Sequence, residues 1–308
     1  MTVRVGHIGF LNCYPLYHGL DRRGTLSRGR LGDHQGATEL ELVPGVPTDL
    51  NRMLVDGEID IGPISSIAYA RNHRQLVLSR HLSISSFGAV DSIQLVTRKP
   101  WEEIDSVALT TQSATSVALL KTILKLRFAR DVHYSDLEGT VAEGLAAFDA
   151  VLVIGDQGLD ALYFPEPGTI CYDLGEVWQE WTGLPMVYAV WAAREDFARE
   201  RGPDLLAVED ELVKCMDYGR ENHAEVVESA IRRSRLDRKG LARYFAILRY
   251  DFPPLYRDGL RRFYELAHEA GELGEVPRFR FIDEVVLRGP EAAECLSETA
   301  DRVSETAE

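Results

Sequence analysis

Val3-Arg4-Val5-Gly6-His7-Ile8-Gly9-Phe10 is a run of strand length dominated by apolar and small residues, and Leu11-Asn12-Cys13-Tyr14-Pro15-Leu16 brings it to a turn. Short apolar runs bounded by turn formers match strands buried on both faces. Working outward, residues 40–43 supply a second short run. Pro47 sets the first turn of a helix over 48–56, closed by Gly57. Residues 59–64 supply a third run, and Ser65-Ser66 then open a helix reaching Arg71 or Asn72. Strands that alternate with helices predict parallel α/β sheets.

The alternation restarts after Pro100-Trp101. Strands are predicted at 76–78, 93–98, 106–110, 132–134, 150–154 and 184–192, with helices at 117–128 and 138–147. Between the first two of these strands lies the polar stretch Ser83-Ile84-Ser85-Ser86-Phe87-Gly88, and residues 21–37, rich in Gly, Arg and Asp, read as a surface insertion. Helical spacing runs through 205–231, 238–248 and 256–272, and the last dozen residues read as a frayed end. One α/β unit covers about 1–92 and a second about 98–185, and the strand near 186–192 returns to the first. The predicted division is therefore 1–92 plus 190–308 as one lobe and 93–189 as the other, with a cleft between them. This is a two-lobed α/β architecture of the type II periplasmic-binding-protein-like kind.

A chain of 308 residues is too long for one ordinary core and suits two lobes. Its 45% hydrophobic and 27% charged residues are typical of a globular protein. A formal net charge of −15 repels nucleic-acid phosphates, so no nucleic-acid partner is expected. The densest basic run, Arg232, Arg233, Arg235, Arg238 and Lys239, reads as a solvated helix face. The four cysteines, Cys13, Cys171, Cys215 and Cys295, form no C-x-x-C pair and suit a reducing compartment. Met1 to Gly6 run straight into the first strand without the pattern of a secretory signal, and no stretch approaches 18 apolar residues. A cytoplasmic protein without a membrane partner is the expectation; a homodimer is left open. No His-Glu-x-x-His, no Gly-x-Gly-x-x-Gly after the first strand, no Gly-Lys-Ser/Thr and no Gly-x-Ser-x-Gly occurs, so neither a metal nor a cofactor is expected.

In open parallel sheets ligands bind outside the carboxyl ends of the strands. The residues there are Asn12, Ser65-Ser66, Ser85-Ser86, the run Thr111-Gln112-Ser113-Ala114-Thr115-Ser116, and Gly155-Asp156. Helix starts expose unpaired N–H groups and the positive end of the helix dipole, and neighbouring hydroxyls add donors. Two such starts facing one cleft hold carboxylates without Lys or Arg. Each candidate carries a plainer alternative. Ser65-Ser66 serve as caps, Asn12 makes an Asx turn before Pro15, and Asp156 caps a helix rather than binding ligand or acting as a base. Thr111, Ser113, Thr115 and Ser116 exceed what one cap requires. His7 reads as a packed histidine within its strand.

The blocks Gly6-His7-Ile8-Gly9-Phe10-Leu11-Asn12-Cys13-Tyr14-Pro15-Leu16, Val46-Pro47-Thr48-Asp49-Leu50-Asn51, Ser65-Ser66-Ile67, Ile154-Gly155-Asp156 and Asp173-Leu174-Gly175-Glu176, with Trp178, Trp181 and Thr182-Gly183-Leu184-Pro185, follow one another over roughly residues 5–195. Together they resemble the chorismate dehydratases of the futalosine route to menaquinone. The resemblance implies a hydro-lyase that takes chorismate, a small dicarboxylate, to 3-[(1-carboxyvinyl)oxy]benzoate without a cofactor. It is applied here with Asn12 and Ser86 in proton transfer and Ser65, Ser66, Ser85, Thr111, Ser113, Thr115, Ser116 and Asp156 around the substrate. Asp156 is the alternative base. A 1,4-dihydroxy-6-naphthoate synthase-like enzyme of the same fold, or a solute-binding protein without chemistry, are the competing expectations.

Overall fold

The computed structural model describes residues 2–25, 30–31 and 38–288. Its strands are β1 Thr2–His7, β2 Arg30–Leu31, β3 Thr38–Pro44, β4 Ile61–Ser65, β5 Leu76–Ser86, β6 Ile93–Thr97, β7 Ser106–Leu109, β8 His133–Asp136, β9 Ala150–Ile154, β10 Ile170–Asp173, β11 Met186–Arg194 and β12 Leu248–Arg249. They form two sheets, one in the order β12-β5-β11-β4-β1-β3-β2 and the other β10-β6-β9-β7-β8. Strands β4, β6 and β9 are buried at every position; β9 is an unbroken apolar run, whereas β6 carries Gln94 and Thr97 and β4 ends in Ser65.

Both sheets are mixed rather than parallel throughout. β1 runs parallel to β3 and β4, and β7 runs parallel to β8 and β9. β11 is antiparallel to β4 and β5, and β6 is antiparallel to β9 and β10. The reason is the double crossing. The chain leaves the first sheet at Ser86 and re-enters it at Met186, directly opposite in register. Neighbouring strands joined to the other sheet at the same end must run in opposite directions.

Three local expectations change. The stretch Ser83-Ile84-Ser85-Ser86, placed between two predicted strands, is the end of one eleven-residue strand, β5, that begins at Leu76. Its Ser83 and Ser85 hydroxyls donate to the Asp251 and Arg249 carbonyls at 2.7 and 3.1 Å, which satisfies them inside the fold. A helix, Tyr14–Arg22, stands where the sequence suggested only a turn, with Pro15 in its first turn. It packs on helix Gly202–Glu221, and Gly19 and Gly219 let each backbone meet the other, since a Cβ at either would strike the Cys215 or Pro15 carbonyl. Within the 21–37 insertion, Asp21 and Arg22 end that helix and Arg30–Leu31 pairs with β3. The rest of that insertion's core (26–29 and 32–37), the frayed end and Cys295 lie outside the described residues.

Candidate active site

The carboxyl ends of β1, β4, β7 and β9 meet at one cavity of about 550 Å³, counted out to its open mouth. From the first sheet come Ile8, Phe10, Asn12, Ile64 and Ser65; from the second come Ser113, Ser116, Ile154 and Gly155. Val90, Ser92 and Tyr188, on or beside the two crossings, also line it, with Pro47, Ile84, Ile93, Ala189 and Leu248. No charged side chain is among its described residues.

Three helices begin at this wall: Pro47–Val55, Ala114–Thr122 and Gly155–Tyr163. The first and third have Val46 and Ile154 at their N-caps and no side chain bonded to their first N–H groups. The positive ends of these dipoles therefore face the cavity and supply the local attraction for anions that the net charge of −15 denies. Gly155 has φ +59°, a backbone conformation that favours glycine at this corner.

The candidate residues divide into several groups. Asn12 sits in the one-turn helix Leu11–Cys13; it forms no side-chain cap, and its Oδ1 is buried without a hydrogen-bond partner among the described residues. Ser65 lines the cavity, and its side chain does not cap the helix Ser66–Arg71 that it precedes. Ser113 and Ser116 line it too, but Ser113 caps helix Ala114–Thr122 through the Ser116 N–H, and their hydroxyls pair at 2.9 Å. Thr111 is exposed and outside the wall. Asp156 stands beside Gly155 with solvent access. Crowding nonetheless raises its carboxyl above its ordinary value, against the pull of the Leu11 backbone N–H.

Ser66, Ser85, Ser86 and Thr115 are fully buried and outside the wall. Ser66 Oγ donates to the Val187 carbonyl at 2.8 Å, so the Thr115 hydroxyl donates to Ser66 Oγ at 3.2 Å. Thr115 Oγ1 accepts the Ile67 N–H at 3.2 Å, which ties the two lobes together. Thr115→Val keeps the shape but takes the acceptor from the buried Ile67 N–H; it is expected to cost about 1–3 kcal/mol, read as a lower Tm. Ser86 Oγ donates to the Gly88 carbonyl at 2.8 Å, which leaves Tyr188 to donate to Ser86 at 3.0 Å. Ser86 thus stands behind Tyr188, whose ring faces the cavity. Burial and nearby Asp173 hold the Tyr188 phenol well above its ordinary pKa.

Sequence reasoning missed Tyr188 and Ser92. The aromatic-rich face of the strand predicted at 184–192 was the available signal for Tyr188; Ser92, in the crossing, carried none. Asp91 beside it is buried at φ +57° and joins the lobes. Its carboxylate accepts from Arg243 at 2.9 and 3.0 Å and from the Tyr163 hydroxyl at 2.9 Å. Asp173 fastens the outgoing crossing to the returning one. It accepts the backbone N–H groups of Val90, Asp91, Gly175 and Glu176 and the Gln94 amide. Burial pushes its carboxyl up to about 6 while those donors pull it down.

The model of the menaquinone-biosynthesis family matches residues 3–269. The chain belongs to this family. The menaquinone-biosynthesis match bears out the resemblance carried by the blocks between residues 6 and 185. Over 270 residues the chain is 33% identical to a Thermus thermophilus protein named chorismate dehydratase, covering 83% of this chain and 92% of the relative. It is 26% identical over 200 residues to a 1,4-dihydroxy-6-naphthoate synthase of the same organism, covering 59% of this chain and 68% of the relative. A conserved Candida albicans protein with the generic periplasmic-binding-protein fold superposes at TM-score 0.60 and 12% identity, with 94% of each chain covered. That likeness shows the fold alone: this member of the menaquinone-biosynthesis family has the two-lobed periplasmic-binding-protein-like architecture. No helix among the described residues is long and apolar enough to cross a membrane.

Proposed function

We propose that the chain is a chorismate dehydratase, a hydro-lyase that converts chorismate to 3-[(1-carboxyvinyl)oxy]benzoate. The observation that carries this reading is the 33% identity, across 92% of its length, to the Thermus thermophilus enzyme of that name. An interlobe cavity with a largely apolar wall, in which Asn12, Tyr188 and four serines are the polar side chains and helix starts lie at the edge, supports it. Chorismate carries two carboxylates. The uncapped starts of helices Pro47–Val55 and Gly155–Tyr163, with the Ser65 hydroxyl, are suited to grip them.

The chemistry asks little acid–base strength. The ring C3 hydrogen is vinylogous to the ring carboxylate and so weakly acidic. The C4 hydroxyl leaves from the same face as that hydrogen, and the product ring is aromatic. Fixed dipoles aimed at the ring carboxylate stabilise the charge that spreads onto it as the proton departs. Asn12 has a neutral amide and orients the reacting groups, leaving a carboxylate of the substrate to take the proton; Asp156 is the alternative base. Ser86 acts through Tyr188 as a positioning residue. A cytoplasmic location accords with the unpaired thiols of Cys13, Cys171 and Cys215.

Incubation of the purified protein with chorismate tests this directly. The expected outcome is loss of the cyclohexadiene and appearance of the aromatic enol ether. A solute-binding protein returns chorismate intact. A naphthoate synthase ignores it and consumes the cyclic futalosine derivative instead.

A further inference from the structure

Asp91 keeps a left-handed backbone inside the outgoing crossing, with φ +57° and a side chain only 1% exposed. A residue other than glycine is strained there, and it stays only where its surroundings over-determine it. Here they do. Its N–H donates to the Asp173 carboxylate at 2.7 Å, and its carbonyl accepts the Gln94 amide at 3.0 Å. Its own carboxylate accepts one edge of the Arg243 guanidinium, Nε to Oδ2 at 2.9 Å and Nη2 to Oδ1 at 3.0 Å. Oδ2 also accepts the Tyr163 hydroxyl at 2.9 Å.

The elements joined at this carboxylate each carry a part of the cavity wall. Val90 and Ser92, the sequence neighbours of Asp91, both line the cavity. Tyr163 ends helix Gly155–Tyr163, whose first residue lines it. Arg243 lies on helix Arg238–Ile247, which runs straight into the lining residue Leu248. The crossing, the second lobe and the C-terminal helices thus meet at one side chain. A two-pronged Arg–carboxylate pair fixes orientation as well as distance, which a point charge does not. The guanidinium that closes the join is 57% exposed, so it can be changed without opening the core.

We propose that Asp91 and Arg243 form a clasp that positions the Val90–Ser92 segment of the wall for the substrate. The pair brings no group to the reacting atoms. It keeps the wall in its binding-competent arrangement before the ligand arrives. A loosened wall is competent for only a fraction of the time, and apparent affinity falls by that fraction. Bound substrate restores the arrangement, so the effect falls on KM and spares kcat. The proposal rests on the chorismate reading for the substrate with which KM is measured.

Arg243→Gln is expected to raise KM for chorismate about 10-fold and to leave kcat within about twofold of wild type. Arg243→Lys returns the charge without the fork and is expected to recover part of that loss. In the ligand-free protein, amide hydrogen exchange over residues 87–95 is expected to quicken about 10-fold in Arg243→Gln, with the rest of the chain unchanged. Asp91→Gly removes the carboxylate and relieves the backbone, so it decides the matter if Arg243→Gln folds poorly. It is expected to raise KM to the same extent. Unchanged KM overturns the proposal, even beside a lower Tm, because the pair is then a structural tie alone. A fall in kcat at constant KM overturns it as well. If the wild-type protein does not convert chorismate, the dehydratase reading fails and exchange alone judges the clasp. Faster exchange confined to residues 87–95 then upholds it, and unchanged exchange overturns it.

Discussion

Asn12→Ala is expected to lose about 10²–10⁴-fold in chorismate turnover while melting at the wild-type temperature. The two halves of that expectation come from separate observations. The turn that carries Asn12 is closed by the backbone, with the Cys13 N–H donating to the Phe10 carbonyl at 3.1 Å. The side chain contributes no hydrogen bond to it, and Oδ1 is buried and unpartnered among the described residues. Truncation therefore removes no stabilising contact and relieves a buried polar atom, so Tm has no reason to fall. The loss in rate follows from position. Asn12 lies on the cavity wall just past the first strand, in the same wall as the helix starts proposed to hold the carboxylates. An amide presents either its carbonyl or its NH₂ by a half turn, so it can orient a hydroxyl or a water without competing for the proton. Steady-state kinetics beside a thermal melt reads both halves. Near-normal kcat in a folded Asn12→Ala protein removes Asn12 from the chemistry, and a large drop in Tm makes it a structural residue instead.

The fold was legible because its strands are punctuated. Each parallel strand at the cavity is followed by a turn or a helix start, and Pro47, Gly57 and Gly155 fix their turns by backbone geometry alone. The site was legible as a set of turns and less so as a set of side chains. The run Thr111 to Ser116 shows why. Its hydroxyls look equivalent in sequence, yet a helix start turns successive residues by about 100°. Thr111 meets solvent, Ser113 caps, Ser116 pairs with that cap, and Thr115 points away to clasp the other lobe. Ser85 and Ser86 show the strand counterpart: within β5 they are absorbed by the Arg249 and Gly88 carbonyls, contacts set by segments far away or past a tight bend.

Asp173→Asn is expected to destabilise the protein by about 3–5 kcal/mol, because it undoes the knot between the two crossings. Each carboxylate oxygen of Asp173 faces several donors. Oδ1 accepts from Gly175 at 2.8 Å and Glu176 at 3.2 Å, and Oδ2 accepts from Asp91 at 2.7 Å and the Gln94 amide at 2.9 Å; Val90 reaches both at 3.1 Å. An asparagine puts an NH₂ against one of these sets whichever way it turns, so at least two buried N–H groups lose their acceptor and meet another donor. Asp173 is 7% exposed, so water cannot easily replace what is lost. Asp173 also begins helix Leu174–Thr182, and the same change weakens that cap. The consequence reaches the cavity through Val90 and Ser92, which sit on the outgoing crossing and in the wall. A lower Tm is therefore expected together with weaker chorismate binding, whereas Thr115→Val, outside the wall, lowers Tm with a smaller change in KM. A thermal melt and KM for the two variants side by side check this. An Asp173→Asn protein as stable as the wild type would mean that the five donors do not hold the hinge.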